Sequence, residues 1–422
     1  MSTTSTVGDG ARYSFVPGSV NLPLVVSGEG CWLHTADGRR ILDAAAGAIV
    51  GNVGWGRAEV GEAAGKAMSA CGYVIPLWPT VPRLELRDRL VERWLPDGFT
   101  NVFFTSGGSE STDSAIRLAR GYQVGKGRPD RWKMIGRHPS YHGMTIATIS
   151  VASHSARQIG YEPLLLPFPK VAWDDPDDVV RVFEREDPAT IAGFIAEPIT
   201  GAAGACLEAS DEYWRVVTDL CRRHDVLLIA DEVMTGYGRT GTKFGHQHFP
   251  MEPDVIVGGK GLGGGYVPLG AVATTNAVAD VLRAFGFMYF TFTGNDGACA
   301  AANVVLDILE REHLVARSAQ MGQVLGDRLR AAIGDHPLVA DVRGRALFFG
   351  IELRRNRDLV VRAALDRDLW VYPAGSGPVP NAVMVAPPFV VTEAEIDQIA
   401  TRLGDALDHV AAHPDTPPVP VR

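Results

Sequence analysis

The stretch DVIVGGKG (residues 254–261) carries a lysine, Lys260, directly behind a short apolar run and two glycines. The β-branched run predicts a strand that is buried on both faces. The glycines allow a tight backbone path and the close approach of another group. A lysine confined in this way has a lowered pKa and can form a Schiff base. The alternative is a surface lysine in a flexible loop, where most lysines lie.

Short apolar runs like this one recur along the chain and alternate with helical segments. Strands are predicted at 102–104, 133–135, 191–196, 226–230, 255–257 and 270–274, and the Thr- and Ile-rich segment 145–151 is also predicted as a strand. Helices are predicted at 59–70, 111–124 and 211–224. This alternation predicts an α/β fold, a large domain with a mostly parallel central sheet that is covered by helices.

Both chain ends differ from this pattern and predict a second, smaller α+β domain. An Asp37-Gly38 turn joins two short strands near the N-terminus, and the segment TEAE (392–395) is a capping box that opens a C-terminal helix. We therefore assign 1–55 to the N-terminal segment of the small domain, 56–305 to the large domain, 306–413 to the C-terminal part of the small domain, and 414–422, which contains four prolines, to a disordered tail.

Composition excludes several classes of function. The 422 residues carry a formal net charge of −9 and no basic run, which argues against nucleic-acid binding. The sequence contains no apolar stretch of about 18 or more residues, so no transmembrane helix is predicted. The five cysteines are scattered and odd in number, and no secretory signal precedes them. These features predict a cytoplasmic protein without a disulfide framework or a metal site.

Two further segments are typical of anion and cation binding. FTSGGSE (104–110) lies between a predicted strand and a helix, where free backbone N–H groups and small side chains at Gly108 and Ser109 favour a phosphate. The alternative there is an ordinary capped helix start. Asp231 directly follows the strand at 226–230, and a buried carboxylate needs a cationic or hydrogen-bonding partner. A protonated ring nitrogen is one such partner, and a structural ion pair is the alternative.

The segment YHG (141–143) adds Tyr141, a flat ring that can stack on a planar ligand, although an ordinary core aromatic is the alternative. Together, a phosphate cup, a carboxylate for a pyridinium, an aromatic ring and a reactive lysine match the requirements of pyridoxal phosphate. Lys260 is not part of a phosphate-binding P-loop, because no Ser or Thr follows it.

The segment LIADEVMTGYGRTG (228–241), followed by Lys260, resembles the class III (ω-amino acid type) pyridoxal-phosphate-dependent aminotransferases of fold type I. The resemblance covers nearly the whole chain. It implies that Lys260 holds the cofactor as a Schiff base and moves the substrate proton, and that Asp231 pairs with the pyridine nitrogen. The other cofactor-binding residues that the resemblance implies are Gly108, Ser109, Tyr141, His142, Glu197 and Val233.

Thr291 matches a family threonine that contacts the phosphate bound to the neighbouring subunit. The resemblance therefore implies a homodimer, or a dimer of dimers, with active sites at the interface. Its substrates would be small-molecule amines and carbonyl compounds.

Three positions depart from the family pattern. Met384 and Ala202 stand where members that act on α-amino acids carry an Arg and a Glu, and Tyr372 stands where amine-accepting members carry a mobile Arg. Bidentate capture of a carboxylate by Arg is hard to replace. We therefore expect no fixed carboxylate clamp at these positions. Trp55, Trp78 and Tyr372 are candidates for the substrate lining.

The leading hypothesis is an aminotransferase that moves an amino group from a primary amine or ω-amino compound, such as an amino sugar or other natural-product intermediate, to a carbonyl acceptor by ping-pong half-reactions. A pyridoxal-phosphate-dependent isomerase, either an aminomutase or an epimerase, is the alternative that uses the same lysine. A non-catalytic homologue is the third hypothesis, and Lys260 and Asp231 argue against it.

Overall fold

The computed structural model describes residues 22–285 and 289–413. The predicted tail at 414–422 and the first 21 residues of the predicted N-terminal segment lie outside the described residues. The strands are β1 Val25–Glu29, β2 Trp32–Thr35, β3 Arg40–Asp43, β4 Phe99–Thr105, β5 Lys133–His138, β6 Lys170–Ala172, β7 Ile191–Ala196, β8 Ile199–Thr200, β9 Leu207–Glu208, β10 Leu227–Asp231, β11 Val255–Gly258, β12 Gly270–Thr275, β13 Val339–Arg345, β14 Phe348–Leu353, β15 Leu369–Trp370, β16 Tyr372–Ser376 and β17 Val379–Val385.

The helices fill most of the remaining chain. They are α1 Ala46–Ile49, α2 Ala58–Ala70, α3 Val81–Arg89, α4 Gly108–Gly125, α5 Ile146–Val151, α6 Ser155–Gln158, α7 Pro176–Glu186, α8 Asp211–His224, α9 Asn276–Phe285, α10 Asp296–Arg311, α11 Leu314–Ile333, α12 Arg357–Leu365 and α13 Glu393–Ala412. Short helical turns lie at Leu90–Trp94, Glu162–Leu164, Pro188–Thr190, Gly245–His248 and Lys260–Leu262.

Seven strands form the central sheet in the order β4-β12-β11-β10-β7-β5-β6. All neighbouring pairs are parallel except those of β12, which runs antiparallel to both β4 and β11. Helices cover both faces: Leu228 of β10 packs in one apolar cluster with α7 and α8, and Ile229 packs in another with α4. The predicted mostly parallel α/β sheet is confirmed, with one reversed strand.

The segment 145–151 is a helix in the structure, so its prediction as a strand is wrong. Helix α5 buries Thr148 to Val151 beside α4 and β5. The hydroxyl of Thr148 donates to the carbonyl oxygen of Thr145, and that of Ser150 donates to the carbonyl oxygen of Ile146. These contacts with the preceding turn and the tertiary packing outweigh the β propensity of Thr, Ile and Val.

Both ends of the described chain contribute to the smaller sheets. Strands β1, β2 and β3 form a sheet with β15, in which β3 and β15 are parallel and Leu42 is level with Leu369. Strands β13, β14, β17 and β16 form an antiparallel sheet, and β8 pairs with β9. The boundary predicted between residues 305 and 306 falls inside the continuous helix α10.

The capping box at the start of α13 is confirmed. The side chain of Thr392 accepts a hydrogen bond from the backbone N–H of Glu395, and the Glu395 carboxylate accepts one from the backbone N–H of Thr392. The apolar face of this helix, which includes Ile396, Ile399 and Leu403, is fully buried in the largest apolar cluster.

Candidate active site

Two neighbouring parallel strands place Asp231 and Lys260 at the same edge of the central sheet. Asp231 is the last residue of β10 and is level with Val257 of β11, and Lys260 follows the end of β11 after Gly259. Ligands of open α/β sheets bind at the carboxyl ends of the strands. The backbone φ of Lys260 is +40°, a strained value for a residue with a side chain. Such strain clusters at functional positions.

Asp231 and His142 form a buried pair beneath this edge. The distance between His142 Nδ1 and Asp231 Oδ2 is 2.6 Å, and Asp231 Oδ1 accepts a hydrogen bond of 3.0 Å from the backbone N–H of Val233. Both side chains are almost completely buried. The other ring nitrogen of His142, Nε2, is buried without a hydrogen-bond partner in the described part of the chain. The pair fixes the orientation of the carboxylate.

The amine of Lys260 is set for reaction near neutral pH. Burial lowers its pKa to about 8, and the charges of Glu197 and Asp231 partly oppose this decrease. A lower pKa leaves a larger neutral fraction of the amine, which is the nucleophilic form. The lysine can therefore attack a carbonyl carbon and can also exchange a proton close to pH 8.

The start of α4 forms the anion-binding side of the site. An α-helix leaves its first backbone N–H groups without partners inside the helix. A Cβ atom on Gly108 would lie 2.8 Å from the Val233 side chain, so only glycine permits this contact. Ser109 Oγ accepts a hydrogen bond of 3.1 Å from the backbone N–H of Met144, and its own proton stays available for an anion.

Glu197 holds the segment that carries Tyr141. Its two carboxylate oxygens accept hydrogen bonds of 2.9 Å from the backbone N–H groups of Tyr141 and Gly201. Burial raises the pKa of Glu197, and the nearby charge of Asp231 acts in the same direction. The same burial raises the pKa of the Tyr141 phenol. Glu197 thus supports the wall of the site through the backbone.

These side chains meet around one cavity of about 160 Å³. Eight residues that the sequence predicts for cofactor binding or catalysis line it, and they are Gly108, Ser109, Tyr141, His142, Glu197, Asp231, Val233 and Lys260. Gly143 and Met234 line it as well. The sequence prediction omitted Met234, although this residue directly follows Val233.

An apolar cluster adjoins the cavity through Met234 and Tyr141. In addition to Met234, its buried members are Ile49, Ile199, Ala202, Ala205, Cys206, Leu207, Phe348, Ala374, Val379, Ala382, Met384 and Ala386, with Tyr141, Trp173, Phe249 and Tyr372 packed against them. Tyr372 and Met384 are opposite each other on β16 and β17. The three positions that depart from the family pattern therefore belong to one apolar surface.

Ile49 is a member of this apolar cluster that no sequence signal indicated. Its φ of +61° is rare for a β-branched residue. Backbone strain of this kind depends on the packing of the surrounding loop and cannot be predicted from the sequence.

Four predicted residues, Trp55, Trp78, Thr291 and Tyr372, do not line the cavity. The Trp55 indole packs on Gly47 and Gly51 and donates a hydrogen bond of 2.9 Å from Nε1 to Asp43. Trp78 is 68% exposed and lies on a surface groove with Leu77. Thr291 is also exposed. Tyr372 packs near the cavity in the apolar cluster.

The residues fit a phosphorylated pyridine aldehyde. The start of α4 suits its phosphate, the buried Asp231 suits a protonated ring nitrogen, and Lys260 suits its aldehyde carbon. His142 lines the cavity, and its Nε2 has no hydrogen-bond partner in the described residues, so a polar group of the cofactor would satisfy it. The cavity therefore has the donor set that pyridoxal phosphate requires.

The fold is that of the fold type I transaminases. An ω-transaminase from Pseudomonas jessenii, solved in complex with PMP, matches with a TM-score of 0.85 and 30% identity, over 93% of this chain and 93% of that chain. The uncharacterized aminotransferase YhxA of Bacillus subtilis is 35% identical over 90% of this chain and 91% of its own length. The putrescine–pyruvate aminotransferase of Pseudomonas aeruginosa is 32% identical over 92% and 91%.

The sequence model of the family "Aminotransferase class-III" matches residues 15–407. The chain belongs to this family and is a class III aminotransferase, as the sequence resemblance predicted. The family uses pyridoxal phosphate.

Proposed function

We propose that this aminotransferase transfers the amino group of a primary amine or ω-amino compound to a carbonyl acceptor in two half-reactions. The donor leaves as a carbonyl compound, and the acceptor leaves as an amine. The observation that carries the proposal is the meeting of Lys260, the buried Asp231–His142 pair and the start of α4 at one cavity.

In this proposal, Gly108 and Ser109 hold the phosphate of pyridoxal phosphate, Val233 and Tyr141 contact its ring, and Asp231 accepts the hydrogen bond of its ring nitrogen. His142 and Glu197 position these groups through the contacts described above. When bound, the cofactor supplies an electron sink for the carbanion that forms when the substrate loses a proton.

Lys260 is proposed to form the covalent link to the cofactor and to move the substrate proton. A group exchanges protons most effectively when its pKa lies near the working pH. Burial brings the pKa of Lys260 to about 8, well below the ordinary value of 10.5. The amine can therefore take up and release a proton within one catalytic cycle.

The apolar cluster supports an amine donor without a carboxylate beside the reacting carbon. Ala202 and Met384 are 3% and 0% exposed, so a charged group at either position would be buried. The name of the relative from Pseudomonas aeruginosa, putrescine–pyruvate aminotransferase, also supports an amine donor and an oxo-acid acceptor. Amino sugars and other natural-product amines remain within this proposed class.

A homodimer with shared active sites is part of the proposal. Thr291 is exposed and lies near the exposed Phe292, whose ring meets that of Tyr73 at 6.0 Å. Leu77 and Trp78 add exposed apolar side chains, and patches of this kind mark association surfaces. The family resemblance implies that Thr291 of one subunit then contacts the phosphate bound in the other.

We also propose that the enzyme works in the cytoplasm on small molecules. None of the helices in residues 22–285 and 289–413 has the length and hydropathy that a membrane span requires.

The first half-reaction tests this function. The holoenzyme is mixed with a primary amine and no acceptor, and the visible absorption of the bound cofactor and the released carbonyl product are followed. We expect one carbonyl product for each active site, and no product with Lys260→Ala. Lys170→Ala is a matched control, because burial also lowers the pKa of Lys170 to about 8 on a different part of the sheet. Product that is only an isomer of the amine would exclude the aminotransferase reaction with this donor.

A further inference from the structure

An arginine that the reaction described above does not use stacks on a side chain that lines the cavity. Arg157 belongs to the short helix α6, and its guanidinium carbon lies 4.8 Å from the centre of the Tyr141 ring. Tyr141 itself lines the cavity with Lys260. A guanidinium over an aromatic face is held by a cation–π interaction. This interaction places a positive charge beside the site without fixing it through an ion pair.

Arg157 has unused hydrogen-bonding capacity. Its Nη1 lies 3.6 Å from the sulfur of Met144, which is a weak acceptor. Its Nε is buried and has no hydrogen-bond partner, and no carboxylate of residues 22–285 or 289–413 pairs with its guanidinium. Most arginines of this chain behave differently. Arg357, whose charge also acts on His154, donates from Nε to Asp358 at 2.8 Å and from Nη1 to the carbonyl oxygen of Ala374 at 3.3 Å.

The free edge of Arg157 is the one that binds carboxylates. Nε and Nη2 project on the same side of a guanidinium and form two parallel hydrogen bonds with a carboxylate. In Arg157 the Nη1 side faces Met144, which leaves this two-pronged edge without an acceptor. An unpaired buried N–H is unfavourable, so an incoming anion would gain from pairing with it.

The charges around Arg157 favour an anion on this side of the cavity. Burial, together with the charges of Arg157 and Arg357, lowers the pKa of His154 to about 4, so His154 is neutral near pH 7. The charge of Arg157 is also one of the causes that lower the pKa of Lys260. The carboxylates of the cavity, Glu197 and Asp231, are engaged by backbone N–H groups and His142.

We infer that Arg157 binds the carboxylate of an oxo-acid acceptor and thereby determines the acceptor class of this enzyme. The inference rests on the proposed function and extends it to the second half-reaction. Ala202, Tyr372 and Met384, which belong to the apolar cluster, provide no cation. A single cavity can then receive an uncharged donor chain against the apolar cluster and an anionic acceptor against Arg157.

The test compares two three-carbon acceptors, pyruvate with a carboxylate and propanal without one, in the second half-reaction of the holoenzyme. Arg157→Gln should lower kcat/KM for pyruvate by about 10- to 100-fold, the range expected for loss of charge-assisted hydrogen bonds, and leave that for propanal nearly unchanged. Arg157→Lys keeps the charge and should recover part of the loss. Arg357→Gln removes an equal charge that also acts on His154 and should leave both values unchanged.

The inference is overturned if Arg157→Gln lowers kcat/KM equally for pyruvate and propanal, or if Arg357→Gln has the same effect as Arg157→Gln. It is also overturned if Arg157→Gln acts by weakening the retention of pyridoxal phosphate, which is measured by dialysis. Turnover of propanal but not of pyruvate by the wild-type enzyme would also overturn it and would leave the proposed function intact. Failure of the wild-type enzyme to release a carbonyl product from amines in the first half-reaction would instead contradict the proposed function.

Discussion

The cavity joins two regions of opposite chemistry. One is the sheet edge of His142, Glu197, Asp231 and Lys260, which is polar and buried and whose carboxylates are engaged by hydrogen bonds and charge. The other is the apolar cluster around Met234, which contains no charged side chain. The sheet edge has the groups that we propose react with the cofactor, and the apolar cluster offers a substrate only its shape and hydrophobic surface. The difference suggests that reaction type and substrate choice are determined by separate parts of the molecule.

The apolar cluster should tolerate no unpaired charge. Met384 is fully buried, so we expect Met384→Arg to lower the free energy of unfolding by about 3–5 kcal/mol, as for other uncompensated buried charges. Met384→Leu conserves volume and should lower it by less than about 1.5 kcal/mol. Urea unfolding of the holoenzyme measures both. Equal stability of the two variants would show that charge is accommodated at this position.

The sheet edge should be far more sensitive in catalysis than in stability. Asp231→Asn removes the buried negative charge at the end of β10, and we expect kcat to fall by about 10²–10³-fold, which is typical for loss of one preorganised electrostatic group. Asp254 is a matched control directly before the adjacent strand β11, and its carboxylate accepts a hydrogen bond of 2.8 Å from the backbone N–H of Leu228. Steady-state kinetics of Asp254→Asn should show no comparable loss. Similar losses in both variants would mean that Asp231 acts only through the fold.

The lowered pKa of Lys260 predicts how the rate of cofactor capture depends on pH. The neutral amine predominates above the pKa of about 8, so the rate at which the apoenzyme captures pyridoxal phosphate should rise about tenfold from pH 7 to pH 9 and then level off. Stopped-flow absorbance measures this rate. Lys170→Met should leave the profile in place, although the pKa of Lys170 is also about 8. A flat profile in the wild-type enzyme would contradict the assigned pKa of Lys260.

The smallest expected effect is at Trp55, which has either a structural role or a role in substrate binding. Trp55→Phe removes the hydrogen bond to the buried Asp43 and should lower the free energy of unfolding by about 1 kcal/mol without a change in KM for the amine. Urea unfolding and the initial rates distinguish a structural role of Trp55 from a role in substrate binding. A raised KM with unchanged stability would place the indole against the substrate, as the sequence suggested.

The local sequence was sufficient to predict most of the site at the sheet edge. Asp231 and Lys260 each follow a short apolar strand, and the strand ends of a parallel sheet meet at one edge, so their proximity could be predicted. Glycines around residue 108 and the start of α4 gave the anion-binding side in the same way. In each case a few consecutive residues determine both the backbone and the chemistry.

The apolar cluster and Arg157 could not be found in this way. The cluster collects residues from β16, β17 and the loops around Ile49 and Met234, which are far apart in the sequence. Arg157 lies after α5, the segment that β propensity predicted as a strand, and its place over Tyr141 depends on that helix. Propensity describes a residue's neighbours along the chain, whereas these contacts depend on tertiary packing.

The separation of reaction type from substrate choice can be measured directly by single-turnover rates with two donors, butylamine and 1,4-diaminobutane. We expect Asp231→Asn to slow both donors by the same factor. Met234→Ala, which alters the point where the apolar cluster meets the cavity, should change the ratio of the two rates by about tenfold, within the range of pocket discrimination for small changes in apolar contact. If Asp231→Asn changed that ratio as much as Met234→Ala does, the separation of reaction type from substrate choice would be contradicted.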